Sequence, residues 1–216
     1  MFEDGEALVI DKPGGLPIET PRRGGPALTD LYDELKLGFH RPPVAVHRID
    51  TDTSGCLLLA RNPKALKRFG KAFEDRLVAK RYVGILAGEI AETEGTVDLA
   101  LSKTSSAERG WRMMPDPAGK PSVTHWKRLM VLDGHTLVEF RPETGRTHQI
   151  RVHAASGLGI PLLGDPVYGA RPGQGKAARR TMLHAASLTV PREKKQPIDA
   201  TAPLPMDFTA LGFHDG

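Results

Sequence analysis

The stretch HRIDTDTSG, residues 47–55, places two carboxylates, Asp50 and Asp52, two positions apart in a short polar turn between apolar runs. A second stretch, TGRTHQIRVH at 144–153, supplies two arginines, Arg146 and Arg151. Carboxylates so placed can serve as nucleophile or base, ligate a metal, or simply make Asx-type turn hydrogen bonds. The turn reading suits Asp52. Alternation along VAVHRID sets Asp50 at a strand end on the same face as Val44, Val46 and Arg48, partly enclosed and presented to a cleft. A partly buried carboxylate must find a cation or take up a proton, and the second stretch offers the cations. Arg146 and Arg151 point about 140° apart around an ideal helix, so one can lock an anionic aspartate while the other meets phosphate from the flank.

Other chemistries fit less well. A proton-sharing carboxylate dyad needs two such turns, and only one is present. His47, Asp50, His148, His153 and His184 are metal-ligating types, yet there is no HExxH, no paired-histidine spacing and no aspartate cluster for Mg²⁺. These histidines are read as structural or as substrate contacts. Ser54 lacks the G-x-S-x-G setting of a nucleophile. Hydrolysis of the glycosidase type needs a second carboxylate about 5–10 Å from the first, and Asp52 is the only near neighbour.

Composition bounds the rest. A chain of 216 residues, 39% hydrophobic, can bury a full core in one large domain or two closely packed lobes. Thirty Lys and Arg against 26 Asp and Glu leave a net charge of +4. Basic residues bunch at Arg22–Arg23, KAARR (176–180) and REKK (192–195), which suits a phosphate-bearing partner. The single cysteine, Cys56, lies in the apolar run CLLLA and is expected to be a buried thiol in a reducing compartment. With no N-terminal apolar signal segment and no run of 18 apolar residues, a cytoplasmic protein with no membrane partner is expected.

The elements that must position these residues follow from local signals. EALVIDKPGGLP reads as a strand ending in a Pro-Gly-Gly turn, followed by a basic Gly/Pro loop at 19–27 and a helix around LTDLYDELK. VAVHRID and GCLLLA read as strands flanking the polar turn, and KRYVGILAG as another. Asn62-Pro63 starts a helix with Leu66, Phe69 and Phe73 at helical spacing. Residues 102–120 read as a long polar loop. Asp133-Gly134 marks a hairpin with a two-residue turn of the primed type, and TGRTHQIRVHAASG a turn entering a short helix that stops at Gly157. Strands outnumber helices, so the expected class is α+β around a largely antiparallel sheet.

Extended to HRIDTDTSGCLLLARN and RPETGRTHQIRVHAASGLGIPLLGDPVYG, the two stretches resemble the signature of the RNA pseudouridine synthases, in particular the family named for ribosomal large-subunit synthase A. VIDKPGGLPIE, KRYVGILAGEI, GKPSVTHWKRL, LHAASLTV and TAPLPMDF match further family blocks in order, from about Leu8 to Phe208. Family members usually have Leu where Ile49 stands. The resemblance is to compact members consisting of a single catalytic domain, here 1–216, without the N-terminal RNA-binding domain of many relatives. It implies the pseudouridine synthase fold: a largely antiparallel mixed sheet, with flanking helices and loops, around a central catalytic cleft.

It also implies a reaction, the isomerisation of specific uridines in rRNA, tRNA or both to pseudouridine, with no cofactor and no metal. Asp50 matches the catalytic aspartate, Tyr82 the active-site tyrosine that lies against the uracil ring, and Arg151 the arginine that pairs with the aspartate and keeps it charged. Ile150 would wall the pocket. Arg48 resembles the residue that takes the place of the flipped-out nucleotide, and His47, Arg146 and His148 are assigned to RNA or supporting contacts. The loops at 21–25 and 171–180 are candidates for the RNA backbone, and the 102–120 segment for a clamp that orders on binding. RNA supplies the extended partner, so a monomer is expected. A silent RNA-binding or ribosome-assembly factor of the same fold is the alternative, but it should have lost Asp50, Tyr82 or Arg151, and all three are present.

Overall fold

The apolar runs of the sequence become strands. In the computed structural model, which describes residues 1–106, 110–169 and 178–214, the chain begins with β1 (Phe2–Glu3), β2 (Ala7–Lys12), β3 (Val44–Ala45), β4 (Ser54–Ala60) and helix α1 (Pro63–Glu74). It continues through β5 (Ala79–Leu86), β6 (Glu94–Asp98), β7 (Leu101–Ser106), β8 (Gly110–Pro115), β9 (Val123–Leu132) and β10 (His135–Pro142). Helix α2 (Gln149–Val152), β11 (Leu183–Val190), β12 (Ile198–Thr201) and α3 (Met206–Thr209) complete it. No described helix is long and apolar enough to cross a membrane.

Two units are distinguished: Met1–Lys80 with Ala185–Pro203, and Arg81–His184 with Leu204–Gly216. In the first, β2 pairs antiparallel with β4, from Ala7↔Ala60 to Lys12↔Gly55. The strand order is β1-β2-β4-β11, with β12 on β11 and β3 on β4. Every residue of β4 is buried, as the continuous run SGCLLLA requires of a central strand. Cys56 within it is 1% exposed, and burial pushes its thiol up to about 11, leaving it an inert filler. Helix α1 starts as the sequence indicates: Asn62 accepts the Ala65 N–H at 2.8 Å, Pro63 opens the first turn and Phe69 is buried.

The second unit orders its strands β5-β10-β9-β6. Asp133 and Gly134, with φ of 50° and 76°, form the two-residue primed turn joining β9 and β10. Its core gathers Leu86, Val97, Trp126, Val138, Phe140 and Ile150, with Tyr82 packed against them.

Three expectations fail for local reasons. The helix around 28–36 is instead two 3₁₀ turns, Leu28–Leu31 and Glu34–Lys36. Asp30 turns back to accept the Ala27 N–H at 2.9 Å, and Leu37, at φ 48°, ends the second turn. The strand over 44–50 stops after Ala45. Val46 N–H still reaches the Leu58 carbonyl, but the Leu58 N–H goes to the His47 ring at 3.1 Å. A side chain replaces the next main-chain acceptor, so alternation breaks: Arg48 is exposed and Ile49 buried. The polar 102–120 segment is not an open loop but a two-stranded arm, β7 pairing β8 from Leu101↔Pro115 to Ser106↔Gly110.

Candidate active site

The first unit carries His47, Arg48 and Asp50. Asp50 is half-buried and heads a tight turn in which the Thr53 N–H donates to the Asp50 carbonyl at 3.0 Å. That turn is pinned from below by Lys12, 0% exposed, whose Nζ donates to the carbonyls of Pro13 (2.7 Å), Leu16 (2.8 Å) and Thr51 (3.0 Å). The Gly15 N–H adds a second tie to Thr51 at 2.9 Å. Gly55, at φ 103°, leaves the turn so close to Ala185 that a Cβ would sit 2.3 Å from its carbonyl oxygen; only glycine fits. A buried ammonium that satisfies three carbonyls cannot be removed cheaply. Lys12→Met is expected to cost about 2–4 kcal/mol, read as a lower melting temperature.

His47 is occupied internally. Its Nε2 accepts the Leu58 N–H and its ring stacks on Phe73 at 4.5 Å. Burial, with the nearby Lys80 charge, pushes it down to about 3, so it is neutral and serves as a supporting contact within this unit. Arg48 is exposed, and its 3.7 Å approach to the exposed Glu19 is weak at that distance.

The second unit carries Tyr82, Arg146, His148, Ile150 and Arg151. Tyr82 is half-buried, paired with Phe140 across β5 and β10. Ile150 is buried in the same cluster. Arg146 precedes α2 rather than lying in it, so the helical angle between Arg146 and Arg151 does not apply; its Nε donates to the Pro121 carbonyl at 3.3 Å. The turn ahead of α2 is organised by Gln149. Its carbonyl oxygen accepts the Thr144 hydroxyl (2.7 Å) and the Arg146 N–H (3.0 Å), and its amide donates to Val123 O and Thr124 Oγ1, both at 2.9 Å. His148 follows with φ 53°, a left-handed residue that throws its ring out of the helix line to meet Tyr168.

Arg151 is 7% exposed, and its Nε and Nη2 grip both oxygens of Asp165 at 2.7 and 2.8 Å. Asp165 Oδ1 also accepts the N–H groups of Val167 and Tyr168. Burial alone would raise this carboxyl, but the Arg151 hydrogen bond and charge, with the two backbone donors, outweigh it and hold it below the usual range. Asp165, Tyr168, Lys12 and Gln149 all lay inside recognisable blocks without being singled out. The one local hint was the Asp-Pro of GDPVYG, a turn signal.

Residues 170–177, most of the basic loop at 171–180, lie outside the described residues. Of its end, Arg179 is exposed whereas Arg180 is tied down: Nε and Nη2 hold Asp207 at 2.6 and 3.0 Å, and Nη1 donates to the Thr181 and Leu183 carbonyls. Of these two arginines at the end of the candidate RNA-backbone loop, Arg180 is thus engaged within the protein. Arg180→Ala is expected to cost about 1–2 kcal/mol in thermal unfolding and Arg179→Ala almost nothing.

Residues 6–156 match the RNA pseudouridylate synthase family. A Zymomonas mobilis protein described as an uncharacterized RNA pseudouridine synthase is 53% identical over 213 residues, covering 99% of this chain and 96% of its own. The chain belongs to the RNA pseudouridine synthases. The synthase is an isomerase that converts uridine in RNA to pseudouridine. The ribosomal large subunit pseudouridine synthase D of Zymomonas mobilis is 38% identical, over 98% of this chain and 70% of its own. Two human structures share the α+β fold. RNA pseudouridylate synthase domain containing 1 matches with TM-score 0.77 at 30% identity, over 94% of this chain and 81% of that one. Domain containing 4 matches with TM-score 0.78 at 25%, over 98% and 92%.

Proposed function

We propose that this synthase modifies one or more uridines of structured ribosomal or transfer RNA, with Asp50 as the catalyst, as a synthase A type enzyme acting as a monomer in the cytoplasm. The Asp50 turn carries this reading: a half-buried carboxylate at the head of a turn that Lys12 and Gly55 allow only one shape. An ionised carboxylate there can attack C1′, forming an ester that C5 later displaces, or remove the C2′ proton to give a glycal that regains it when C5 adds to C1′; either route breaks the N1–C1′ bond and frees uracil. The base turns and rejoins C1′ through C5, and the C5 proton then leaves, a step to which a tyrosine hydroxyl over the ring, Tyr82, is suited. Arg151 supplies fixed positive charge. Arg48, exposed and planar, suits the space vacated by a flipped nucleotide, which costs a few kcal/mol of lost stacking.

Ribosomal RNA is the first target to examine, since several relatives carry ribosomal large-subunit names. Arg22, Arg23 and Arg179 are exposed, which suits contacts to the RNA backbone. The test maps pseudouridines by carbodiimide modification and primer extension in rRNA and tRNA from cells with and without the gene. Loss of a site in rRNA or tRNA on deletion, restored by the purified protein, supports the proposal. Maps unchanged in both RNAs would overturn it.

A further inference from the structure

A run of side-chain contacts crosses the second unit from the β7–β8 arm to the Arg151 ion pair. Lys103 Nζ lies 5.0 Å over the Trp111 ring, and Trp111 stacks on His148 with ring centroids 5.1 Å apart and planes 29° from parallel. His148 Nδ1 is 2.9 Å from the Tyr168 hydroxyl, and the two rings meet edge to face at 5.6 Å. The Met113 N–H, also on the arm, donates to the same hydroxyl at 2.9 Å. The Arg151 guanidinium sits 5.2 Å over the Tyr168 ring, and the Tyr168 N–H donates to Asp165, the partner of Arg151. Tyr168 therefore touches the arm, His148, Arg151 and Asp165.

The Tyr168 oxygen accepts the Met113 N–H and shares a second hydrogen bond with His148 Nδ1, so one hydroxyl joins the arm to the residue ahead of α2. The arm itself has little burial to anchor it: Ser102 to Trp111 of its described residues are half-buried or exposed, and Trp111 is 48% exposed. An arm with this much exposure shifts its placement when a contact such as Met113–Tyr168 or Trp111–His148 is lost. We propose that Tyr168 is a positioning residue that ties the placement of the β7–β8 arm to the orientation of Arg151, so that a displaced arm lowers turnover. This rests on the reading of Arg151 as catalytic.

The link is reciprocal: whatever shifts Arg151 must also shift the arm. The test uses the full chain and three readouts: folding by circular dichroism, emission of Trp111 taken as the difference from Trp111→Phe, and kcat and KM for tritium release from RNA labelled at uridine C5. Tyr168→Phe keeps the ring against Arg151 and removes only the hydroxyl. It is expected to melt like wild type, to shift Trp111 emission to the red, and to lower kcat about fivefold. Trp111→Ala should lower kcat similarly, and the double variant should be no worse than the poorer single, because both break one connection. Wild-type kcat in Tyr168→Phe, or a double variant whose loss is the product of the two single losses, would overturn the proposal. Arg151→Lys is the separate control. Full turnover in that variant would remove the reading of Arg151 itself, whereas reduced turnover with a shifted Trp111 emission is the result the link requires.

Discussion

Asp50→Asn is expected to lower the rate of pseudouridine formation by about 10³-fold or more while moving the melting temperature by no more than about 2 °C. The two halves of this expectation come from different atoms. The turn is held by the main-chain carbonyl of Asp50, which accepts the Thr53 N–H, and by the Lys12 bond to Thr51. Neither changes in the variant, so the turn keeps its main-chain ties. The amide, however, can neither attack C1′ nor accept a proton from the sugar, and that chemistry has no substitute in the proposed mechanism. Asp52→Asn should stay within about threefold of wild type if Asp52 only shapes the turn. Tritium release from C5-labelled RNA by both variants provides the comparison. Turnover by Asp50→Asn within tenfold of wild type would end the assignment.

Asp165→Asn is expected to cost about 3–5 kcal/mol of stability, because it leaves the buried guanidinium of Arg151 facing a neutral amide. For a chain of this size that is a fall of about 7–11 °C in melting temperature. The pH dependence identifies the cause. Arg151 and the two backbone donors hold Asp165 below the usual carboxylate range, so the carboxylate's contribution is fully present above that range and is lost as pH falls through the lower, folded-state value. The gap between wild type and variant should therefore hold from neutral pH down to about pH 4 and narrow below it. A gap that stayed constant into acid would assign the loss to packing rather than to charge. Turnover should fall as well, since Arg151 loses the partner that aims it.

Much of this architecture was readable locally. The continuous run of β4, the capped start of α1 and the primed turn at Asp133–Gly134 each depend on neighbours within a few residues, so their signals stand in the sequence itself. The failures share the opposite property. The strand ahead of Asp50 ends early because a ring, His47, takes a hydrogen bond that alternation assigns to the backbone. The β7 strand of the arm is mostly Ser, Thr and Lys, and what holds β8, His148 and Tyr168, lies far along the chain. In the site, motif matching singled out Asp50, Tyr82 and Arg151, yet it was silent on what fixes them. Lys12 reaches Thr51 across 39 positions, and Asp165 reaches Arg151 across 14. Such partners have no spacing rule to betray them.

The chain passes between the two units at Lys80, again at His184 and a third time at Pro203, so the first unit is assembled from two distant pieces of sequence. On a ribosome this imposes an order of events. When Lys80 has emerged, β2 and β4 are complete, but β11 and β12 are about 100 residues from being made, a wait of about 5–20 s at ordinary translation speeds. Throughout that interval the most apolar strand of the protein, SGCLLLA, has no β11 beside it. Synthesis speed across residues 81–184, and the attention of chaperones to nascent chains of that length, thus become determinants of how much active enzyme a cell obtains. Slowing translation there should raise aggregation without altering a single contact of the finished protein.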